Sequence, residues 1–274
     1  VAILDGHDAL FLDLDGVVYE GPHPIPHAVD TINDIASSGL PVAYITNNAS
    51  RSPEQVAEHL SSFGIATDAS HIFGSAATAA EMLKIQVQPG DPVLVVGSRY
   101  LADEVRRHGY RPLTTQDAET IAPRSVIQGF DPSVGWKDLA AASFAILGGA
   151  SWFATNTDKT IPQPQGIAPG NGALVAAVEM ATGMVPLVAG KPEPVIFHLA
   201  AQELGVKNPL MVGDRLDTDI LGGNNAGFDT ALVLTGIHGQ GAVDQADADM
   251  KPTYIINDLR ELLTDGRPQL RAVK

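Results

Sequence analysis

A chain of 274 residues, 45% of them hydrophobic, can bury one large core or two moderate ones. Its 32 acidic residues against 17 basic ones leave a formal charge of -15, so the long-range field repels phosphate backbones and anionic headgroups, and neither a nucleic-acid nor a membrane partner is expected. The absence of cysteine excludes disulfides, Cys-ligated metals and thiol nucleophiles. The opening VAILDGHDALF carries acids and lacks the basic and apolar regions of a secretory signal, and the cysteine-free composition fits a reducing, cytoplasmic location.

Short apolar runs at 9–12, 41–45, 93–96, 126–127, 152–154, 210–212 and 230–234 alternate with segments of helical period. That is the pattern of βαβ units around a parallel sheet. After the second run, Ser52 is an N-cap, Pro53 a first helical residue and Gln55 the return partner of a capping box. This helix turns Val56, Leu60 and Phe63 inward and stops at Gly64. The Pro/Gly punctuations QVQPGDP (86–92) and ATGMVPLVAGKP (181–192) bracket a stretch with its own strands and helices. An inserted domain over 89–185 is therefore expected, with 1–88 and 186–274 forming the core. Inside the insertion, the uncharged stretch 139–157 approaches the roughly 20 apolar residues of a membrane span. Its Ala and Ser content and Gly148-Gly149 instead predict a buried helix followed by a strand at 152–154. Pro192-Glu193-Pro194 opens a further helix, with Val195, Ile196, Leu199 and Leu204 inward and Gly205 past its end. The expected fold class is α/β, a doubly wound parallel-sheet (Rossmann-like) core with an inserted α/β domain.

Two of these strands end in acid. Asp13-Leu14-Asp15-Gly16 follows the first run, and Gly213-Asp214 follows 210–212, trailed by Arg215, Asp217 and Asp219. Strand carboxyl ends are where open α/β sheets bind ligands. Two bare charges about 4 Å apart at an effective dielectric of 20 repel by roughly 4 kcal/mol, so such a cluster demands a proton or a cation. All-oxygen ligation suits Mg²⁺. A single Asp after a strand is an ordinary turn former. Here a third strand ends in Thr46-Asn47-Asn48, and Gly190-Lys191-Pro192 stands alone between the acidic strands. Gly190-Lys191 is not a Walker A loop, because no Gly lies five positions earlier and Pro192 occupies the Ser/Thr place. Neither a GxSxG elbow nor an HExxH helix is present.

The runs LFLDLDGVVYEG, VAYITNNASRS, GKP and VGDRLDTDILGGNNAG resemble, in this order, the four motifs of haloacid-dehalogenase-superfamily phosphatases. With FATNTD and PGNGALVAAVE in the insertion, they are similar to the subfamily IIA branch of p-nitrophenylphosphatase-like and NagD-like enzymes, and within it look most like bacterial glycerol-3-phosphate phosphatases. The resemblance implies a Mg²⁺-dependent phosphatase in which Asp13 is the nucleophile and forms an aspartyl-phosphate. Asp15 is then the proton donor and acceptor. Asp13, Asp214 and the Asp15 carbonyl are implied Mg²⁺ ligands, and Asp219 is the second acid at the metal, holding metal waters or Lys191, with Asp217 its competitor. Thr46 and the amides of Asn47 and Asn48 would cradle the phosphoryl oxygens, and Lys191 would supply a fixed positive charge. The insertion becomes a cap, with Asn156 and Asp158 in the stretch that faces the substrate, while Arg51 is read as an exposed arginine at a helix start.

The implied partner is a small phosphate ester. Glycerol phosphate, phosphoglycolate, sugar phosphates and nucleoside monophosphates stay open, whereas Ile161 departs from the His that vitamin-B6 phosphatases place before Pro162. Relatives of this branch often dimerise through the cap, which leaves a homodimer open without the sequence deriving one. The alternative from another class is a non-catalytic phosphometabolite sensor on the same fold. Retention of Asp13, Asp15, Lys191 and Asp214 together favours the enzyme.

Overall fold

The computed structural model describes residues 2–163 and 165–264. In chain order its strands are β1 (Ala9–Leu12), β2 (Tyr19–Glu20), β3 (His23–Pro24), β4 (Val42–Thr46), β5 (Ile72–Gly74), β6 (Pro92–Val96), β7 (Arg111–Leu113) and β8 (Ser125–Gln128). They continue with β9 (Ser151–Ala154), β10 (Thr160–Gln163), β11 (Gly166–Pro169), β12 (Leu187–Val188), β13 (Pro209–Gly213), β14 (Asp229–Val233) and β15 (Tyr254–Ile256). The helices are α1 (Ala28–Ser37), α2 (Pro53–Ser62), α3 (Ser75–Met82), α4 (Arg99–Arg107), α5 (Trp136–Leu147), α6 (Asn171–Thr182), α7 (Val195–Leu204), α8 (Leu221–Asn225) and α9 (Gln240–Gln245).

Contacts divide the chain into two compact units: one holds the stretch up to Thr46, Pro53–Phe73 and the described residues from Lys191 on, and the other holds Asn47–Ser52 and Gly74–Gly190. This division is wider than an insertion over 89–185. Helix α3 packs on α4, and the Pro89-Gly90 punctuation is a turn inside the second unit, where Gly90 has φ +87° and the Asp91 N–H donates to Gln88 O.

In the first unit, a six-stranded sheet runs β15-β14-β13-β1-β4-β5. Strand β1 pairs in parallel with β13, Leu10 beside Leu210 and Leu12 beside Val212, and with β4 on its other side. All four residues of β1 are buried because helices cover both faces. The period of two sends Leu10 and Leu12 into a cluster with Ile32, Ile35, Val56 and Leu60, while Ala9 and Phe11 meet Ile196, Phe197 and Ala200 of α7. Helix α7 starts after Pro194 and ends at Gly205, φ +67°. Its buried arc is Ile196, Phe197, Ala200 and Ala201, so Val195, Leu199 and Leu204, all expected inward, are only half-buried, Leu204 against the edge of the core. Helix α2 buries Val56, Ala57 and Leu60, with Phe63 half-buried against the rings of Tyr19 and His59. Strand order reverses between β1 and β13, and this switch point defines the ligand crevice of an open sheet. Asp13 and Asp214 follow those two strands.

The second unit carries its own parallel sheet, β12-β9-β8-β6-β7. Here the order reverses between β6 and β8. Helices α5 and α6 cover one face through Ala142, Ile146, Val175 and Val178, packed with Leu94, Val126 and Trp152. The stretch 139–157 thus forms the end of α5 and then β9, but α5 is half-buried rather than buried. It presents one stripe to a single sheet, leaving Trp136, Phe144 and Leu147 exposed. Among the described residues, no helix is long and apolar enough to cross a membrane.

Candidate active site

Asp13 leaves β1 with its N–H still donating to Val212 O of the neighbouring strand, 2.9 Å. The ladder therefore delivers its carboxylate to the switch point. Lys191, 3% exposed, reaches the same place, and its Nζ donates to Asp13 Oδ1 at 2.6 Å, Asp219 Oδ1 at 2.7 Å and Ile45 O at 3.1 Å. Burial alone would pull this ammonium down, but the Asp13 and Asp219 carboxylates outweigh it and hold its pKa above the ordinary lysine value.

Three acids share the centre: Asp13, Asp214 and Asp219 bring carboxylate oxygens within 4.8 Å of one another. Burial first, and the Asp13 charge second, push Asp214 up to about 6 against the opposing Ile237 N–H, Lys191 and Arg215. Burial and Asp13 likewise push fully buried Asp219 up, with Lys191 opposing. Asp214 Oδ2 accepts the Ile237 N–H at 2.7 Å, whereas its buried Oδ1 has no hydrogen-bond partner. A carboxylate oxygen in that state is costly, and a hard divalent cation is what satisfies it. Gly16, at φ +79°, forms one wall, where any Cβ would come within 2.5 Å of Asp214 Oδ2; Gly236 forms the other. The donor set fits a cation held by Asp13 and Asp214.

Both oxygens of Asp219 are also engaged within the protein. Its Oδ1 holds Lys191 and its Oδ2 accepts the Arg215 N–H at 3.1 Å. Asp217 stays outside the cluster: the Arg215 guanidinium takes both its oxygens, at 3.1 and 2.8 Å, and overcomes partial burial to hold its carboxyl below the usual range. Of the two competitors, Asp219 is the acid at the centre. Asp15 is exposed beside Asp13, where the Gly16 N–H donates to Tyr19 O, and Thr46 is buried at the carboxyl end of β4.

The loop Thr235–His238 also serves this centre. Thr235 Oγ1 donates to Gly16 O at 2.8 Å, the His238 N–H donates to Asp214 O at 3.1 Å, and His238 Nδ1 accepts the Leu216 N–H at 2.9 Å. Its only sequence signal is its place directly after an apolar run, like the two acidic motifs.

The remaining predicted residues lie in the second unit. Asn47 is buried and its Nδ2 donates to Asp158 Oδ1 at 3.0 Å. Asn156 Nδ2 donates to Asn47 O at 2.8 Å, and Asn156 Oδ1 accepts the Asp158 N–H at 3.2 Å. Asn156 and Asp158, both expected to face the substrate, thus each bond to Asn47. Asn48 and Arg51 are exposed.

Comparison with known proteins places this arrangement. A family model described as haloacid dehalogenase-like hydrolase matches residues 10–111, and a HAD-hydrolase-like model matches 188–262. A D-glycerol 3-phosphate phosphatase of Mycobacterium tuberculosis is 43% identical over 266 residues, 97% of this chain and 74% of that protein. The solved structure of a glycerol phosphate phosphatase from the same organism, in complex with magnesium, superposes with a TM-score of 0.90 over 96% of this chain and 79% of that one. An acid sugar phosphatase of Staphylococcus saprophyticus is 33% identical over 96% of this chain and 99% of its own length. A p-nitrophenyl phosphatase from Archaeoglobus fulgidus is 29% identical with a TM-score of 0.85, over 94% of this chain and 98% of that chain. With these motifs at the strand ends and likeness over nearly its whole length, the chain belongs to the haloacid dehalogenase-like hydrolases, in their subfamily IIA, p-nitrophenylphosphatase-like branch.

Proposed function

We propose that this chain hydrolyses small phosphate monoesters at Asp13, with Mg²⁺ held by Asp13, Asp214 and the Asp15 carbonyl. One observation supports this above others: a strand-end carboxylate, Asp13, is pinned by a buried lysine beside an acid, Asp214, whose Oδ1 lacks a partner. When bound, Mg²⁺ supplies charge neutralisation and polarises a phosphoryl oxygen. Asp13 attacks phosphorus, the ester P–O bond breaks, and an aspartyl-phosphate forms. Asp15, two residues on and exposed, gives its proton to the leaving alkoxide and then takes one from the water that hydrolyses the aspartyl-phosphate. Lys191 orients Asp13 and balances charge on the transferring group, and Asp219 keeps Lys191 in place. Thr46 and the amides of Asn47 and Asn48 hold the phosphoryl oxygens.

Glycerol 3-phosphate is the favoured substrate, supported by the 43% identity to a D-glycerol 3-phosphate phosphatase over 97% of the chain. Sugar phosphates are the second reading, supported by the acid sugar phosphatase at 33% identity. Phosphate release from both classes and from p-nitrophenyl phosphate, with Mg²⁺ or with EDTA, tests the proposal. Metal-dependent release with the highest kcat/KM on glycerol 3-phosphate is expected, and a higher value on a sugar phosphate would select the second reading. Full activity in EDTA would contradict the ligand set.

A further inference from the structure

The loop Asn47–Ser52 follows Thr46 directly, yet its contacts group it with the second unit. Its seat is the switch point of that unit's sheet. Ser98, just past β6, donates from Oγ to Ala49 O at 3.2 Å, and Ser50 Oγ donates to Phe130 O, just past β8, at 3.3 Å. The crevice where an open parallel sheet ordinarily receives a ligand is here occupied by the chain's own loop. Two further side chains converge on one atom of it: Ser75 Oγ, at 2.7 Å, and Asn156 Nδ2, at 2.8 Å, both donate to Asn47 O. Ser75 is fully buried and Asn156 is 5% exposed.

Fixing that carbonyl fixes more than itself. The peptide unit is planar and trans, so the N–H of Asn48 points opposite to the C=O of Asn47. Two buried donors on the carbonyl therefore aim the Asn48 amide. The Asn47 side chain is held at the same time, by Asp158 Oδ1 at 3.0 Å and by Gly190, where any Cβ would come within 2.5 Å of Asn47 Oδ1. Asn156 is itself braced from behind, its carbonyl accepting the Nδ2 of Asn171, the first residue of α6, at 2.7 Å.

We propose that Ser75 and Asn156, seconded by Asp158, are positioning residues that set the phosphate-holding amides of Asn47 and Asn48, acting on the phosphoryl group and not on the leaving group. This rests on the phosphatase reading given above. Loss of one of these buried donors is expected to misaim the Asn48 amide and weaken phosphate binding about tenfold.

The test is calorimetric titration of inorganic phosphate into the full-length, Mg²⁺-loaded protein, for wild type, Ser75→Ala, Ser75→Thr, Asn156→Ala and Ser98→Ala, beside kcat/KM on glycerol 3-phosphate and p-nitrophenyl phosphate. Phosphate carries no leaving group, so it reports the phosphoryl site without any contribution from the rest of an ester. The expected result is about tenfold weaker phosphate binding for Ser75→Ala and Asn156→Ala, an equal fractional loss of kcat/KM on both esters, and recovery in Ser75→Thr, which keeps the hydroxyl. Wild-type phosphate affinity in folded Ser75→Ala and Asn156→Ala, or a loss confined to one ester, would overturn the inference. Should either fail to fold, Ser98→Ala decides, because it loosens the same loop from the other flank and is expected to weaken phosphate binding too. Failure of the phosphatase reading looks different: the wild type itself would then release no phosphate from any ester.

Discussion

Asp214 shows how far surroundings alone set a side chain's chemistry. Its carboxyl is pushed up to about 6 in the folded protein, against an ordinary value of 3.8, chiefly by burial. Between those values the native state binds more protons than the unfolded chain, so without metal this residue lowers stability as pH rises from about 4 to about 6. Asp214→Asn removes the effect while leaving an oxygen for the Ile237 N–H. In EDTA, the variant is expected to match wild type near pH 4 and to exceed it by up to about 3 kcal/mol at pH 7. Urea unfolding at the two pH values checks this, and a stability difference that does not change with pH would contradict it. Added Mg²⁺ should offset that difference in the wild type, since the cation binds only the folded site. The motif acids and Lys191 were legible in the sequence because each sits at a strand end or in a distinctive short run. The partners of Asn156 and Asp158 were not, because their bonds to Asn47 span 109 and 111 residues. The same distance effect hides Ser75 and His238.

At the scale of elements, helix α7 ties the site to the core. Lys191 lies just before it, and Phe197, fully buried, fills the space between Phe11, Ile45 and Gly222, whose missing Cβ leaves room for the ring. Phe197→Ala is expected to cost about 3 to 5 kcal/mol, because the surrounding helix and sheet close only partly over the void. Thermal or urea unfolding gives the measurement, and a loss below about 1 kcal/mol would mean that α7 is not held by this ring. Strands β1, β4, β6, β8, β9, β13 and β14 were legible from their apolar runs and helices α2 and α7 from Pro and Gly at their ends, whereas the sheet-edge strands β5, β7, β12 and β15 are too short to show as runs. Which stripe a helix buries was less so, since apolar residues on α5 and α7 outnumber those that one sheet face can cover. The division between units was hidden for a related reason: punctuation marks a turn, and the Pro89-Gly90 turn falls inside a unit rather than between two.

The whole molecule carries a net charge of -15, and its one deeply buried cluster of opposite charges is at the Asp13 centre among the described residues. That field predicts passage through a DNA column at low salt without retention, and retention would contradict the charge argument. Folding brings together, from three separate stretches of chain, the Asp13 carboxylate after β1, a lysine before α7 and an acid after β13. Hydrolysis at Asp13 is the claim on which the functional account depends. Its most direct test is phosphate release by Asp13→Asn beside wild type, in Mg²⁺ and with matched unfolding curves. Turnover at least about a thousandfold lower in a folded variant is the predicted result. Release within a few-fold of wild type would contradict the assignment of Asp13 as the attacking group.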